Sequence, residues 1–463
     1  MINRSITLLL TFLFFLYSIL IYDYLFVTSI GLSFTLYIFL QFINKLGKEV
    51  PIKEFVLLLA SFQWIVGAKI SYNLGKQHYK YYMYVDETTY MNYVVPAVLL
   101  FFIGLNLFRS NMKISHLEST ILKNSHELKK TALTLIILGL SSAFLSRFTQ
   151  GGLTFILFLG EILLYIGVGY TLYLYRDRKY LILLITLGVV FILAINKGSF
   201  HKLLLVGSFL LFFAIPPTQK FIQKVFLVIL GVGIVYVIQL VKNDLRDIIW
   251  KTEKKENALI IFWDLIKEEF KAEQNNYFYL NNDEVELKEQ AELNVRMNQG
   301  WIISKTLENV PKNTPFENGR TIRESIEASI LPRFLFPDKL GASHGLDNFK
   351  KITGLYLNDK TSMELSIVAE FYANYGRIGG QFAMLLYGLL VALLIKYFTT
   401  KLGEGSEVIY LWLILFFFQP VKAEIDLIKI LNHFVKSIIF FWLIKYFLTN
   451  VLRIAIVAHN EEE

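Results

Sequence analysis

Cysteine is absent from all 463 residues. That excludes structural disulfides, thiolate-bound zinc, iron–sulfur clusters and thiol nucleophiles in one step. Histidine is scarce: the seven copies are scattered, with no HExxH pair, and no acidic repeat of the calcium-loop type occurs. No metal site is therefore expected. A phosphate-cradling loop of the GxxxxGKS kind is missing too, which argues against a nucleotide-driven enzyme or pump. No basic run with interleaved aromatics stands outside the apolar blocks, so nucleic acid is not an expected partner, and no cofactor is implied.

What fills the chain instead is apolar sequence. Hydrophobic residues make up 55%, with 40 Phe and 26 Tyr, and the mean hydropathy is +0.49. Length alone would suggest about three soluble domains, but apolar runs recur along nearly the whole chain. The fold class is an all-α, polytopic membrane bundle of about twelve spans. Two spans lie in 5–43, meeting at Tyr22-Asp23-Tyr24. Seven more fall near 54–72, 93–108, 131–147, 153–175, 180–195, 203–217 and 221–241. After a long polar segment come spans near 379–398, 407–421 and 434–452. The first run has no small-residue cleavage site and reads as a retained span. The chain thus divides into an N-terminal bundle (1–241), a large loop (242–363) and a C-terminal membrane region (364–463).

Lysine and arginine set the expected orientation. Lys45, Lys48, Lys53, Arg109, Lys129, Lys130, Arg176, Arg178, Lys220 and Lys401 all fall on one side if the N-terminus is inside, and the opposite short loops hold fewer cations. The positive-inside rule then puts both termini in the cytoplasm and 242–363 outside.

Within that loop the charge changes sign. Residues 242–292 carry 8 Lys/Arg against 13 Asp/Glu, whereas 293–363 carry 10 against 7. The basic half contains Arg296, Arg320, Arg323, Arg333, Lys339 and His344. Thr321-Ile-Arg-Glu324 reads as a capping box opening a short helix whose Ile322, Ile326 and Ile330 face one way, with Pro332 ending it. Thr361-Ser362-Met-Glu364 reads as a second box, before Glu370, Tyr372 and Gly376. Chemistry outside a membrane without ATP usually draws on an activated substrate such as a lipid diphosphate, and guanidinium groups meet its oxygens with paired donors. A single loop arginine is more often a surface charge; the set is more suggestive than its members. Two residues compete as general base: His344, whose imidazole titrates near neutrality, and Glu370, which burial near the membrane boundary would raise and whose bland role is pairing with Arg377 or capping backbone groups. Lys197, in the turn Asn196-Lys-Gly-Ser199, is either a pointer to an anionic site or a snorkelling side chain.

Pro-Arg-x-hydrophobic-x-Pro-Asp-Lys (332–339) and Glu-Phe-Tyr-x-Asn-Tyr-Gly-x-x-Gly-Gly (370–380) resemble the bacterial Wzy-type oligosaccharide repeat-unit polymerases. The resemblance covers about 294–380. It implies a metal-independent glycosyltransferase that moves a growing glycan from undecaprenyl diphosphate onto the next lipid-linked unit, in the cell inner membrane, with a chain-length regulator and a flippase as partners. Arg296, Arg320, Arg333 and Lys339 would belong to the polymerase loop, and Glu370, Tyr372 and Gly376 to its closing helix. An O-antigen ligase, a lipid-linked oligosaccharide flippase or a non-catalytic assembly subunit are the other readings, and Lys197 departs from the arginine such proteins often carry in that turn.

A two-pronged donor at position 333 would be needed for its geometry as well as its charge. Arg333→Lys is expected to impair polymer formation nearly as badly as Arg333→Ala, by a factor on the order of a hundred. Glycan length distribution on gels checks this; near-normal polymer from Arg333→Lys would reduce the residue to a charge.

Overall fold

The computed structural model describes residues 3–75, 81–109, 112–150, 152–251, 257–278, 298–331, 344–357, 363–400 and 406–454. Within them the regular structure is helical, apart from one isolated antiparallel bridge between Glu49 and Lys113. The first half contains α1 (Arg4–Leu20), α2 (Phe26–Lys45), α3 (Ile52–Leu74), α4 (Glu87–Asn106), α5 (Ile114–Lys123), α6 (Ser125–Leu145) and α7 (Gly152–Leu174). It continues with α8 (Lys179–Lys197), α9 (His201–Ala214), α10 (Phe221–Lys251) and α11 (Ala258–Phe278). The second half contains α12 (Gly300–Asn309), α13 (Arg320–Ile330), α14 (His344–Thr353), α15 (Ile367–Thr400), α16 (Ile409–Phe417) and α17 (Leu427–Tyr446).

Nine helices among the described residues are long and apolar enough to cross a membrane. The chain is a multi-pass membrane protein. Three of the twelve runs form shorter helices: α1 has 17 residues, α9 has 14 and α16 only 9. Every residue of α16 is buried, so protein rather than lipid surrounds this short apolar helix. The opposite case is α10, which carries Ile222, Phe226, Ile229 and Val232 well exposed, as a lipid-facing helix should. Its far end, with α8 and α11, closes a small second core around Ile195, Ile238, Leu245 and Phe262.

Two helix pairs carry the main bundle, α6 with α7 and α4 with α15. The second pair rests on glycines. A Cβ on Gly104 would collide with the Leu385 carbonyl and stand 2.8 Å from Leu389 N; one on Gly388 would stand 2.5 Å from Phe101 O. The backbones can approach this closely only where both helices lack side chains.

Helix α15 is broken at Gly376, where φ is 66° and ψ −165°. The break reverses the chain: a Cβ on Gly380 would lie 3.1 Å from the carbonyl carbon of Phe371, although nine helical residues would span about 13 Å. The half-helix 367–375 therefore lies across the start of the membrane span, at the end of the bundle that bears the long loop.

Gly104→Ala is expected to destabilise the protein by about 1–3 kcal/mol through overpacking. Gly188, which has open space around it, serves as the control: Gly188→Ala should be neutral or gain up to about 1 kcal/mol. Thermal unfolding in detergent separates the two, and equal effects would refute the close-packing account.

Candidate functional site

The long segment folds back onto the helix ends. The Gln299 amide donates to the Gln63 carbonyl (3.2 Å), within a π turn that interrupts α3 at Phe62–Val66. Asn298 donates to Ser71 Oγ at 2.6 Å, and the Tyr84 amide to Ser304 Oγ at 3.1 Å. On the other flank the amides of Glu317 and Asn318 reach the carbonyls of Ala373 and Asn374. These bonds seat α12 and the 310–319 stretch on α3, on the segment just before α4 and on the half-helix of α15.

The short helix α13 begins two residues earlier than a Thr321 cap would require. Gly319, in the left-handed region at φ 85°, occupies the cap position, and the capping-box reading of Thr321 does not hold. The Thr321 hydroxyl instead donates to Glu370 Oε1 (2.8 Å) and accepts from Asn374 Nδ2 (2.7 Å). Glu370 Oε2 accepts the Leu427 amide at 2.8 Å, the first N–H of α17. One carboxylate, 3% exposed, thus joins three helices. Of its two sequence-level roles, the observed one is backbone capping, and the partner amide belongs to α17. Ile322, Ile326 and Ile330 do share a face, but that face points outward, Ile326 and Ile330 being exposed; Thr321, Ser325, Ala328 and Ser329 are the buried ones.

Arg320 is fully engaged. Its Nε donates to Glu317, its Nη1 to both oxygens of Glu324 at 2.7 and 2.8 Å, and its Nη2 to Asn348 at 2.9 Å. The bond it donates to Glu317 chiefly strengthens the guanidinium's hold on its proton. Burial pushes the Glu317 carboxyl up, but Arg320 and Lys351 outweigh it and keep it below the usual range. Arg323 lies on the surface, 3.8 Å from Glu327. The half-buried Tyr372 ring stands edge-on to Tyr93 at 5.0 Å and Phe316 at 6.2 Å.

Carboxylates gather at the start of α17. Asp426 is its N-cap, accepting from the Lys429 amide at 3.2 Å. Glu364 pairs with the Lys429 ammonium and accepts from the Asp426 amide at 3.4 Å. Gly345, in the first turn of α14, lies so close to Asp426 Oδ2 that a Cβ would collide with it. Burial, then the charges of Glu364 and Glu370, lift the Asp426 carboxyl to about 7. Four residues before Asp426, Lys422 is half-buried; its ammonium stands 5.7 Å from the Phe418 ring and makes no ion pair among the described residues. Burial pushes its ammonium down, while Glu424 and Glu364 pull it back up.

Cations converge from the other flank. Lys197 is the exposed last residue of α8. Gly198 caps that helix in the left-handed region, and its carbonyl accepts from Arg246 Nε at 2.6 Å. Lys202 is paired with Glu161. The charges of Lys422, Lys202, Lys242 and Arg246 all act on the His201 ring, so the start of α9, the far half of α10 and the 418–426 turn meet in one basic region. Lys422 belongs to both flanks.

Of the residues singled out in the sequence, Glu370, Arg320 and Tyr372 cluster around the α13–α15 junction, and Lys197 borders the basic region. Arg296, Arg333 and Lys339 lie outside the described residues, as do Thr361 and Ser362; for His344 only the backbone, at the start of α14, is described. Sequence reasoning missed Lys422, Asp426, Glu364, Lys429 and Arg246. A signal existed: Lys422, Glu424, Asp426 and Lys429 put four ionisable groups into eight positions between two apolar runs. No protein family, curated protein or solved structure matches the chain.

The raised Asp426 carboxyl has a stability consequence. The folded chain keeps this proton to higher pH than the unfolded chain, whose value is near 3.8. Folding therefore binds a proton between those limits, and stability falls as pH rises from about 4 to about 7. Asp426→Asn should flatten that slope, measured as the difference in melting temperature between pH 5 and pH 8. An unchanged slope would remove Asp426 as its source.

Proposed function

We propose that the protein is a polysaccharide polymerase. In this reading it transfers the growing glycan from undecaprenyl diphosphate to the next lipid-linked repeat unit, at the outer face of the inner membrane. The observation that carries it is the half-buried Lys422, without an ion pair among the described residues, set between a basic region and a buried carboxylate group at the loop-bearing end of the bundle. A diphosphate leaving group and a hydroxyl nucleophile need those two environments side by side.

The acceptor hydroxyl oxygen bonds to the anomeric carbon while the bond from that carbon to the diphosphate oxygen breaks. The hydroxyl proton passes to a base, and the extra negative charge stays on the carrier diphosphate. Lys422, with Lys242 and Arg246, whose charges act with it on the His201 ring, is suited to hold that charge. Asp426 and His344, whose helix starts against Asp426, are the candidate bases. Glu370, with both oxygens engaged, is a positioning residue: it sets the start of α17 and hence Asp426.

The ligase reading uses the same chemistry with a different acceptor, and the flippase reading needs none. Mass analysis of lipid-linked glycan in a deletion strain distinguishes them. Single repeats outside the membrane support a polymerase, unligated long polymer on the carrier a ligase, and repeats trapped inside a flippase. Lys422→Met, made with normal protein level, is expected to leave single repeats and lower polymer by about a hundredfold. Near-parental polymer from that variant would remove Lys422 from the site.

A further inference from the structure

The helix α13 divides into three sectors at 100° per residue. Arg320, Arg323, Glu324 and Glu327 form one, Thr321, Ser325, Ala328 and Ser329 the second, and Ile322, Ile326 and Ile330 the third. The small-residue sector is buried, none of its members more than 6% exposed. It is also internally satisfied: Ser325 Oγ donates to the Thr321 carbonyl at 2.7 Å, and Ser329 Oγ to the Ser325 carbonyl at 2.6 Å. The charged sector holds two cations and two anions paired one turn apart, Arg320 with Glu324 and Arg323 with Glu327.

This helix packs side by side against α17. The two begin at one level, because Thr321 and the Leu427 amide bind the two oxygens of the same Glu370 carboxylate. They therefore run in the same direction. Helix α17 opens the apolar stretch Leu427–Val451, long enough to cross a membrane. A neighbour that starts with it and stays beside it enters the same leaflet. Eleven residues rise about 16 Å, roughly half the hydrocarbon core. A helix lying flat on the membrane surface would cross α17 only at its end.

Exposure of the isoleucine sector grows along this path, from half-buried Ile322 to 44% at Ile326 and 64% at Ile330. Further along α17, past the reach of α13, Ile439 at 54% and Leu443 at 61% are outward-facing apolar residues. We propose that α13 is a re-entrant helix: it dips into the leaflet at the loop-bearing end, its isoleucine sector contacts lipid hydrocarbon, and its neutralised charged sector turns away from the lipid. The assignment is independent of the reaction proposed above.

A chain without cysteine allows a clean test. Ile326→Cys, Ile330→Cys, Arg323→Cys and Tyr356→Cys are made singly in the full chain and reconstituted into phosphatidylcholine vesicles, with folding checked by size-exclusion elution. Tyr356, 91% exposed, is the aqueous reference. A thiol in hydrocarbon stays protonated and unreactive, so Ile326→Cys and Ile330→Cys should react with a water-soluble maleimide at least about tenfold more slowly than Tyr356→Cys, and Arg323→Cys near the reference rate. Nitroxides attached through an organic-phase reagent at 326 and 330 should be relaxed by oxygen, which partitions into hydrocarbon, more than by a nickel chelate. Maleimide rates at 326 and 330 equal to the reference would overturn the proposal. Shielding from both relaxants would overturn it as well, since protein rather than lipid would then cover the face.

Discussion

A carboxylate that is almost wholly buried must have both oxygens bonded, and the fold at the loop-bearing end follows from how Glu370 meets that demand. Its partners are a hydroxyl on α13 and the first amide of α17. Leaving either unmade would cost about 1–3 kcal/mol, so the starts of three helices are held in one register. That register puts Asp426 and Glu364 at the amide end of α17 and brings α14 against them through Gly345. The acidic half of the candidate site is thus a by-product of satisfying one buried side chain.

The membrane explains why such a demand arises. Helices can bury an apolar surface against lipid as easily as against protein, so hydrophobicity alone does not dictate which helices touch. Close packing at Gly104 and Gly388, and polar ties such as Trp64 to the Ala423 carbonyl and Tyr90 to the Trp64 carbonyl, make those choices.

The helices themselves were legible because apolar runs must be about twenty residues long to span a bilayer; α2, α4, α7 and α8 fall where those runs do. The run at 407–421 forms a helix of only nine residues enclosed by protein, and composition does not say whether protein or lipid surrounds an apolar helix. Thr321 misled for a related reason. The Ser/Thr-x-x-Glu spacing satisfies local amides in isolation, but a left-handed Gly319 took the cap and Glu370, 49 residues away, claimed the hydroxyl. Arg320 has its carboxylate partners Glu317 and Glu324 within helical spacing, whereas nothing local reveals Asn348, 28 residues on. Glu370 was found by its place in a polar stretch entering a span, whereas Lys422 and Asp426 were hidden by the apolar residues on either side.

The glycine contacts of α4 and α15 have a mechanical side. They clamp these two helices together, and the break at Gly376 makes the chain above the clamp a separate lever. The acidic groups ride on that lever and on α17; the basic groups sit at the ends of α8, α9 and α10. A molecule held at one end by cations and at the other by a carboxylate would act as a strut between two helix sets, so its arrival and departure would tune the stiffness of the whole loop-bearing end.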